Sequence, residues 1–331
     1  MTILAAGTSL ADMIIRNGAP YSSNGLFKGP YVAECAVLAG GSNGGATFGL
    51  PFETASDDFW HSFHWRSPTQ YNRSGAFIAA FRQSMTSAVL FKLVSTSSSA
   101  GAFYYWNGTT YVSLGTISLT EGLGDSTERW DIHIKMHDTT GVIEGYCNGA
   151  LKFSYSGDTI FTAATTIGWV EHEHQSVTTS IAAVSSEFVS TLDSRNLELA
   201  QLQPTSDGAN TGFTGGYSQV GKVARNDLTW ISSAAAGDIE TFNMGDVPAD
   251  LAGQTVHAVV AASRARRGAT GPQTLKAAAR IGSTNYELGT YGALDNAFSR
   301  FAIIAANNPA TSSAWITSEI NGAQFGVKSG T

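Results

Sequence analysis

The sequence predicts an all-β protein that consists of two β-sandwich domains. The chain of 331 residues contains 36 glycines and only 8 prolines, a composition typical of many short strands joined by tight turns. Apolar residues at the spacing of an amphipathic helix are nearly absent. The length suffices for two domains, each with its own core.

The composition and net charge of the chain argue against a disordered protein and against a nucleic-acid partner. Charged residues make up 14% of the chain, against about 25% in an average globular protein. The hydrophobic fraction of 43% is too high for a disordered chain. The 26 acidic and 19 basic residues give a net charge of −7, which is the wrong sign for a surface that binds phosphates. We therefore expect no nucleic-acid partner.

Membrane insertion and disulfide bonding are not expected either. The first twenty residues have no basic segment and no long apolar run, so they do not read as a secretory signal. No stretch approaches the roughly 20 apolar residues that a membrane-spanning helix needs. Cys35 and Cys147 lie far apart in strand-like sequence. They are predicted to be small buried side chains instead of a disulfide.

The clearest strand is the segment 130–137, WDIHIKMH. Its apolar residues alternate with polar ones, which predicts one buried and one exposed face. After a turn, GVIEGYC continues the extended pattern, and Asn148-Gly149 is a strong hairpin signal. The returning strand, LKFSY, is predicted to place Leu151, Phe153 and Tyr155 on one side. Residues 129–157 are thus predicted to form a three-stranded antiparallel meander.

Seven further strands are predicted in the first two hundred residues. Together with the meander they approach a dozen strands before residue 190, which is typical of a sandwich. Their sequences are PYVAECAVL, DFWHSFHWRS, AFIAAFRQ, AVLFKLVST, AFYYWNG, TTIGWVEHEH and TTSIAAVSSEF.

A polar, glycine-rich segment at 203–221 is predicted to be a linker, with the domain boundary near residue 200. The first domain then covers residues 1–200 and the second, smaller one covers 201–331. Strands of the second domain are predicted at DIETFNM, TVHAVVAASRAR, LKAAARIG and FAIIAANN, with one helical turn around Thr317–Ile320.

Two parts of the chain resemble known families. Residues 130–158 resemble the middle of a concanavalin A-like or laminin-G-like jelly roll, in which a strand, a turn and a strand ending in an Asn-Gly corner recur. The continuation resembles the exit of such domains in tailed-bacteriophage virion proteins, with Asp193-Ser194-Arg195 as the exit segment. Residues 204–328 resemble a second module of phage structural proteins, through PTSDGANTGFT, RNDLTWISSAAAGDIETFNM, AVVAASRARRG and NPATSSAWITSEINGAQFGVK.

The resemblance implies a virion structural protein with a concanavalin A-like jelly roll at 1–200 and a β-sandwich module at 201–331. Such a capsid-surface or tail component would be made in the host cytoplasm and would contact other virion proteins and copies of itself. An alternative is adhesion, in which the jelly roll binds a host surface polysaccharide. A third alternative is a glycan hydrolase, because the fold alone does not decide the function.

No convincing catalytic pattern is found in the sequence. Residues 40–44 match the G-x-S-x-G nucleophile elbow, but the following ATFGLPF is not helical, as that elbow requires. Glu171 and Glu173 could share one strand face, but the E-x-D-x-x-E pattern of concanavalin-like glucanases is not matched, because no Asp follows Glu171 and residue 176 is Ser. We therefore expect a protein that is not an enzyme, with no catalytic residue and no cofactor.

Histidines are concentrated on the predicted strands. His172 and His174 share a strand face and could bind a transition metal if a neighbouring strand supplied a third ligand. His61, His64 and His133 also lie on strands. The alternative is that these histidines are surface residues or hydrogen-bonded partners on the sheets, and on that basis we assign no metal site.

The aromatic segment 103–111, FYYWNGTTY, offers the candidate ligand-binding residues. It is predicted to be a hairpin with Asn107-Gly108 at the turn, so that Tyr104 and Trp106 share one face and Tyr105 faces the other way. Sugar rings stack on aromatic side chains while their hydroxyls reach polar neighbours. Tyr104, Tyr105 and Trp106 are therefore the candidate glycan contacts. The alternative is aromatic packing within the sandwich or at a subunit contact.

Overall fold

The computed structural model describes residues 2–7, 13–17, 21–23, 32, 35–39, 46–66, 77–97, 100–118, 128–174, 181–221 and 227–330. The chain divides into two compact units, Ile3–Leu199 and Ala200–Thr331. Among the helices in these ranges, none has the length and apolar character that crossing a bilayer requires.

The described residues of the first unit form fifteen strands in two antiparallel sheets. In chain order they are β1 (Ile3–Gly7), β2 (Ile14–Asn17), β3 (Tyr21–Ser23), β4 (Cys35–Ala39), β5 (Ala46–Ser56), β6 (Asp58–Arg66), β7 (Phe77–Arg82), β8 (Val89–Ser97), β9 (Ala100–Trp106), β10 (Tyr111–Ser118), β11 (Glu128–Lys135), β12 (Gly141–Cys147), β13 (Ala150–Gly157), β14 (Ile167–His174) and β15 (Ile181–Ser190).

The two sheets pack face to face. Sheet I has the order β13-β12-β11-β6-β15-β4-β3, with β1 also paired to β15, and sheet II has the order β10-β9-β8-β7-β14-β5-β2. The prediction of an all-β sandwich is therefore confirmed. Large side chains from both sheets are fully buried between them and form one core, as sandwich packing requires. They include Phe48, Phe59, Phe63, Phe81, Phe91, Phe103 and Trp130.

The predicted meander is present as β11, β12 and β13. Trp130, Ile132 and Ile134 are fully buried on one face of β11, as the alternation predicts. Asn148 and Gly149 have φ angles of 49° and 76°, the left-handed values that a two-residue type I′ hairpin turn requires. Cys147 is buried, as predicted, whereas the side chain of Cys35 lies outside the described residues.

Within this meander the predicted position of Leu151 is wrong. The pairing shifts between Gly145, which opposes Phe153, and Tyr146, which opposes Leu151, so one extra residue lies in β13. Such a β-bulge turns the following side chains to the other face. Phe153 is buried in the core, whereas Leu151 is 54% exposed on the outer face of sheet I.

The segment by which the chain leaves the first unit is held by hydrogen bonds. After β15, Asp193 begins a 3-10 turn and its carboxylate accepts a hydrogen bond from the backbone N–H of Arg195 (3.1 Å). The guanidinium of Arg129 on β11 donates to the carbonyl oxygens of Ser194 (2.6 Å) and Leu197 (2.8 Å). The exit is therefore held against the outer face of sheet I.

The second unit is also built of strands. Its five-stranded sheet has the order β16-β17-β22-β19-β20, and β18 pairs with β21. The elements are β16 (Pro204–Thr211), α1 (Tyr217–Val220), β17 (Ile239–Met244), β18 (Val259–Ala265), β19 (Thr274–Ile281), β20 (Thr284–Ala293), β21 (Ser299–Ala305), α2 (Thr317–Gly322) and β22 (Ala323–Gly330). The helical turn predicted near residue 317 is confirmed as α2.

The predicted linker at 203–221 is wrong, because the whole segment belongs to the second unit. Residues 204–211 form the edge strand β16 and pair with β17. A Cβ at Gly208 would lie 2.6 Å from the carbonyl oxygen of Thr241, so this strand needs glycine for its close approach. Its glycine and small polar residues, which resemble linker composition, thus serve strand packing.

Candidate functional site

Four side chains form a cluster on the outer face of sheet II. Lys92 lies on β8 opposite Tyr104 on β9, and Trp106 on β9 lies opposite Tyr111 on β10. We call these four residues the Lys92 face. Each of them is partly exposed. Because strand neighbours alternate between faces, this register brings two residues of β9 onto the same surface as the lysine.

Contacts with the aromatic rings fix the position of the Lys92 ammonium. Its Nζ lies 3.6 Å from the ring centroid of Tyr111 and 5.6 Å from that of Tyr104, which are cation–π distances. The ring of Trp106 meets Tyr111 edge to face at 5.0 Å. The Tyr111 hydroxyl donates to the carbonyl oxygen of Val89 (3.0 Å). The face is therefore a connected group with one cation at its centre.

Burial shifts the proton equilibria of this face. It lowers the pKa of Lys92, although the negative charge of Glu173 opposes the shift. Burial also raises the pKa of Tyr111, against the effect of Arg82. Tyr111 therefore remains a protonated phenol, and Lys92 loses its proton more readily than an exposed lysine does.

The turn that joins β9 to β10 holds this arrangement. The side-chain oxygen of Asn107 accepts from the backbone N–H groups of Thr109 (3.0 Å) and Thr110 (2.8 Å). Gly108 has a φ of 91°, a value that favours glycine. An Asn-Gly pair at this place therefore sets the hairpin and, with it, the pairing of Trp106 with Tyr111.

Tyr105 lies on the opposite face of β9 from Tyr104 and Trp106. Its ring stacks on Phe161 at 4.9 Å and lies 5.3 Å from that of Tyr155, and it packs against the core. The structure thus brings Tyr104 and Trp106 together and separates Tyr105 from them. We assign Tyr105 to packing between the sheets.

Glu171 on β14 carries a buried carboxyl group. Its Oε1 accepts from Arg82 Nε (2.8 Å) and Nη2 (2.6 Å), and its Oε2 accepts from Trp169 Nε1 (3.1 Å). The side chain is 1% exposed. These contacts give Glu171 a structural role in sheet II, because a general acid or base must reach its substrate. The motif at 40–44 lies outside the described residues.

A second cluster lies inside the sandwich and joins the two sheets. His61 on β6 and His172 on β14 both point at Glu187 on β15, and all three side chains are fully buried. Glu187 Oε1 lies 2.9 Å from His61 Nε2 and 3.1 Å from His172 Nε2. We call these three residues the inter-sheet cluster. Both histidines are candidates from the sequence, whereas Glu187 is not, because its one signal is a charged residue within a largely apolar strand.

The protonation of this cluster follows from its surroundings. Burial by itself would raise the pKa of Glu187, but the two histidines bring that pKa down to about 2. Burial lowers the pKa of His61 despite the attraction of Glu187. Glu187 is thus a carboxylate at neutral pH, and His61 loses its proton more readily than an exposed imidazole does. The side chain of His174 lies outside the described residues.

The exit segment covers an aromatic group on the outer face of sheet I. Trp60 stacks on His133 at 4.6 Å and on Tyr146 at 6.0 Å. The guanidinium of Arg195 lies 4.3 Å from the Tyr146 ring and 5.0 Å from the Trp60 ring. Trp60 is consequently only 8% exposed. Its aromatic surface is used within the protein and does not offer an open platform.

Comparison with known proteins identifies structural neighbours but no sequence relatives. Neither a protein-family model nor a curated protein matches the chain. Among solved structures, an endo-β-1,4-glucuronan lyase from the fungus Trichoderma reesei is 12% identical over 57% of this chain and 94% of its own, with a TM-score of 0.44. The alginate lyase Aly36B is 13% identical over 58% and 98%, with a TM-score of 0.43.

A carbohydrate esterase from the Shiga toxin-encoding bacteriophage phi24B is a third neighbour. It is 9% identical over 54% of this chain and 88% of its own, with a TM-score of 0.37. At such identities the likeness concerns the fold alone. The prediction that the chain is not an enzyme is wrong as an exclusion, because these neighbours are polysaccharide lyases and a carbohydrate esterase. The chain is an all-β sandwich protein with carbohydrate-active proteins among its structural neighbours.

Proposed function

We propose that the first unit binds a polysaccharide on the Lys92 face. The observation that carries this proposal is the placement of Tyr104 and Trp106, both partly exposed, beside a cation on one surface of sheet II. A sugar ring lays its C–H face on an aromatic ring. Its hydroxyl or carboxylate oxygens then accept hydrogen bonds from the three donors of the lysine ammonium.

The packing of the Lys92 face favours binding, because its side chains are already ordered before a ligand arrives. Lys92 is already held over Tyr111, and Trp106 is in contact with the same ring. Side chains that are ordered in advance reduce the entropy lost on binding. Stacking of a nucleobase on an aromatic residue contributes roughly 1–3 kcal/mol, and a sugar ring should contribute a similar or smaller amount.

Alanine substitution combined with a glycan array tests this proposal. The purified chain is applied to a microarray of bacterial and algal polysaccharides that includes alginate and a neutral β-glucan. Binding to the retained polymer is then measured by calorimetry. We expect Trp106→Ala to weaken binding about tenfold, which corresponds to about 1.4 kcal/mol. Trp230→Ala removes a tryptophan of the second unit that is 47% exposed and should leave binding unchanged.

Two outcomes would contradict the proposal. One is that no polysaccharide is retained, and the other is that both tryptophan variants bind as well as the unmodified chain. The length of the retained polysaccharide is measured before and after incubation. If the unmodified chain shortens the polysaccharide and Lys92→Gln does not, the Lys92 face also cleaves its ligand. If the length does not change with either protein, the face binds without cleaving.

The virion role is a second candidate, and the surface of the second unit favours it. Leu228, Ile316 and Trp230 expose 86%, 55% and 47% of their surface. Exposed large apolar side chains often mark sites of contact with other proteins. We propose that the second unit attaches the chain to other proteins of a bacteriophage particle or to copies of itself, and that the first unit contacts host polysaccharide. Immunogold labelling of particles tests this, and particles without label would contradict it.

A further inference from the structure

We propose that His61, His172 and Glu187, the inter-sheet cluster, bind a divalent transition-metal ion of the zinc class. Each residue offers one ligand atom, and these atoms all lie within 4.8 Å of one another. Two ligands come from sheet I and one comes from sheet II. Two imidazoles and a carboxylate are a donor set that zinc binds in proteins.

The two contacts of Glu187 are close to the spacing that a bound ion requires. Ligand atoms bound tetrahedrally at about 2.0–2.1 Å from zinc lie roughly 3.3 Å apart. In the structure, Glu187 Oε1 is 2.9 Å from one Nε2 atom and 3.1 Å from the other. An opening of a few tenths of an ångström at these two contacts would reach that spacing, and the two histidine nitrogens lie within 4.8 Å of each other.

Both imidazoles converge on one point. A single oxygen of Glu187 contacts both rings, while Glu187 Oε2 is buried with no hydrogen-bond partner among the described residues. A buried oxygen without a partner costs free energy. Bidentate binding of the carboxylate would use Oε2 as a further donor atom to the ion. The cluster thus holds a further carboxylate oxygen that a bound ion could use.

The surroundings orient His172 for metal binding. Its Nδ1 is hydrogen-bonded to the carbonyl oxygen of Ile78, and a carbonyl can only accept, so the proton of a neutral ring is on Nδ1. An ion beside Glu187 Oε1 would bind the Nε2 lone pair and would replace the proton through which Nε2 contacts that oxygen. Metal-binding histidines commonly donate their other N–H to a carbonyl or a carboxylate in this way.

Aromatic packing holds both rings in place. His61 is stacked on Phe63 with centroids 4.8 Å apart, and His172 meets the same ring edge to face at 5.0 Å. The ring of Phe81 also meets that of His61 edge to face, with centroids 5.4 Å apart. An apolar shell of this kind excludes water and strengthens the attraction between the ion and its ligands.

The metal alone is the probe for testing this site. The untagged chain of 331 residues is dialysed against a chelator, titrated with Zn²⁺ or Co²⁺, and analysed for bound metal by mass spectrometry. We expect one ion per chain, a higher melting temperature with either ion, and the visible ligand-field absorption of Co²⁺ bound by nitrogen and oxygen. The Co²⁺ spectrum needs no variant, so it remains informative if variants fail to fold.

Variants then assign the site. His172→Gln and Glu187→Gln should each weaken metal binding at least about tenfold, whereas His133→Gln, on the outer face of sheet I, should bind as the unmodified chain does. The proposal is overturned if the chelator-treated chain takes up no stoichiometric metal. It is equally overturned if folded His172→Gln and Glu187→Gln variants bind metal with unchanged affinity.

Discussion

Acidification should destabilise the first unit through one buried imidazole, that of His64 on β6. His64 is 8% exposed, and its Nδ1 has no hydrogen-bond partner among the described residues. Burial, assisted by the positive charge of Arg129 and opposed by Asp131, lowers the pKa of His64 from 6.5 to about 4. The folded protein therefore keeps this ring uncharged at pH values where the unfolded chain protonates it.

The sign and the size of the effect follow from proton linkage. Between pH 6.5 and pH 4 the unfolded state binds more protons at His64 than the folded state does, so stability falls as the pH falls. The contribution is fully present above pH 6.5 and is lost as the pH drops through about 4. A shift of about two and a half pKa units corresponds to about 3 kcal/mol.

Urea unfolding between pH 7.5 and pH 4 measures this loss. Tryptophan fluorescence follows mainly the first unit, because five of the seven tryptophans lie before residue 200. His64→Gln cannot be protonated, so its free energy of unfolding should fall by about 3 kcal/mol less than that of the unmodified chain. Carboxylate titration is common to both proteins and cancels in the comparison. Parallel pH profiles for the two proteins would refute this reasoning.

Two further predictions concern packing and the chain exit. Gly326→Ala would place a Cβ against the carbonyl oxygen of Glu240 on the neighbouring strand. It should therefore destabilise the second unit by about 1–3 kcal/mol in thermal unfolding. Gly322→Ala, which has open space around its Cβ, should change little, and equal losses would contradict the packing argument. Arg129→Gln removes the guanidinium that holds the exit segment and should cost about 3 kcal/mol, with faster protease cleavage between residues 193 and 199. The surface ion pair of Lys276 is a control, since Lys276→Gln should cost less than about 1 kcal/mol.

Alternation along the chain was sufficient to predict much of the fold. A strand such as β11 can be predicted from its own sequence, because every second residue is apolar and turn residues follow the strand. Strands whose backbones approach closely carry a different composition. In β5, Gly49 lies against the indole of Trp169, and β16 uses Gly208 in the same way. From the sequence alone, glycine at these positions predicts a turn. Its actual role, the close approach of a neighbouring strand, appears only in the structure.

The candidate sites show the same limit. Alternation correctly predicted that Tyr104 and Trp106 share a face, because that depends on one strand only. The addition of Lys92 depends on the register between β8 and β9, which no local pattern reveals. The approach of Glu187 to two histidines depends on strands from both sheets. Such contacts follow from tertiary packing and cannot be read from spacing along the chain.

The hydrogen bonds of Arg129 to the exit segment determine where a pulling force on the chain would enter the first unit. Tension on the chain beyond residue 199 would pass into β11 through the hydrogen bonds of Arg129. This strand has a paired neighbour on each side, β6 and β12, so the pull is shared across the middle of sheet I. Charge-assisted hydrogen bonds are about twice as strong as neutral ones. A pull on the exit segment would therefore be distributed over three paired strands of sheet I.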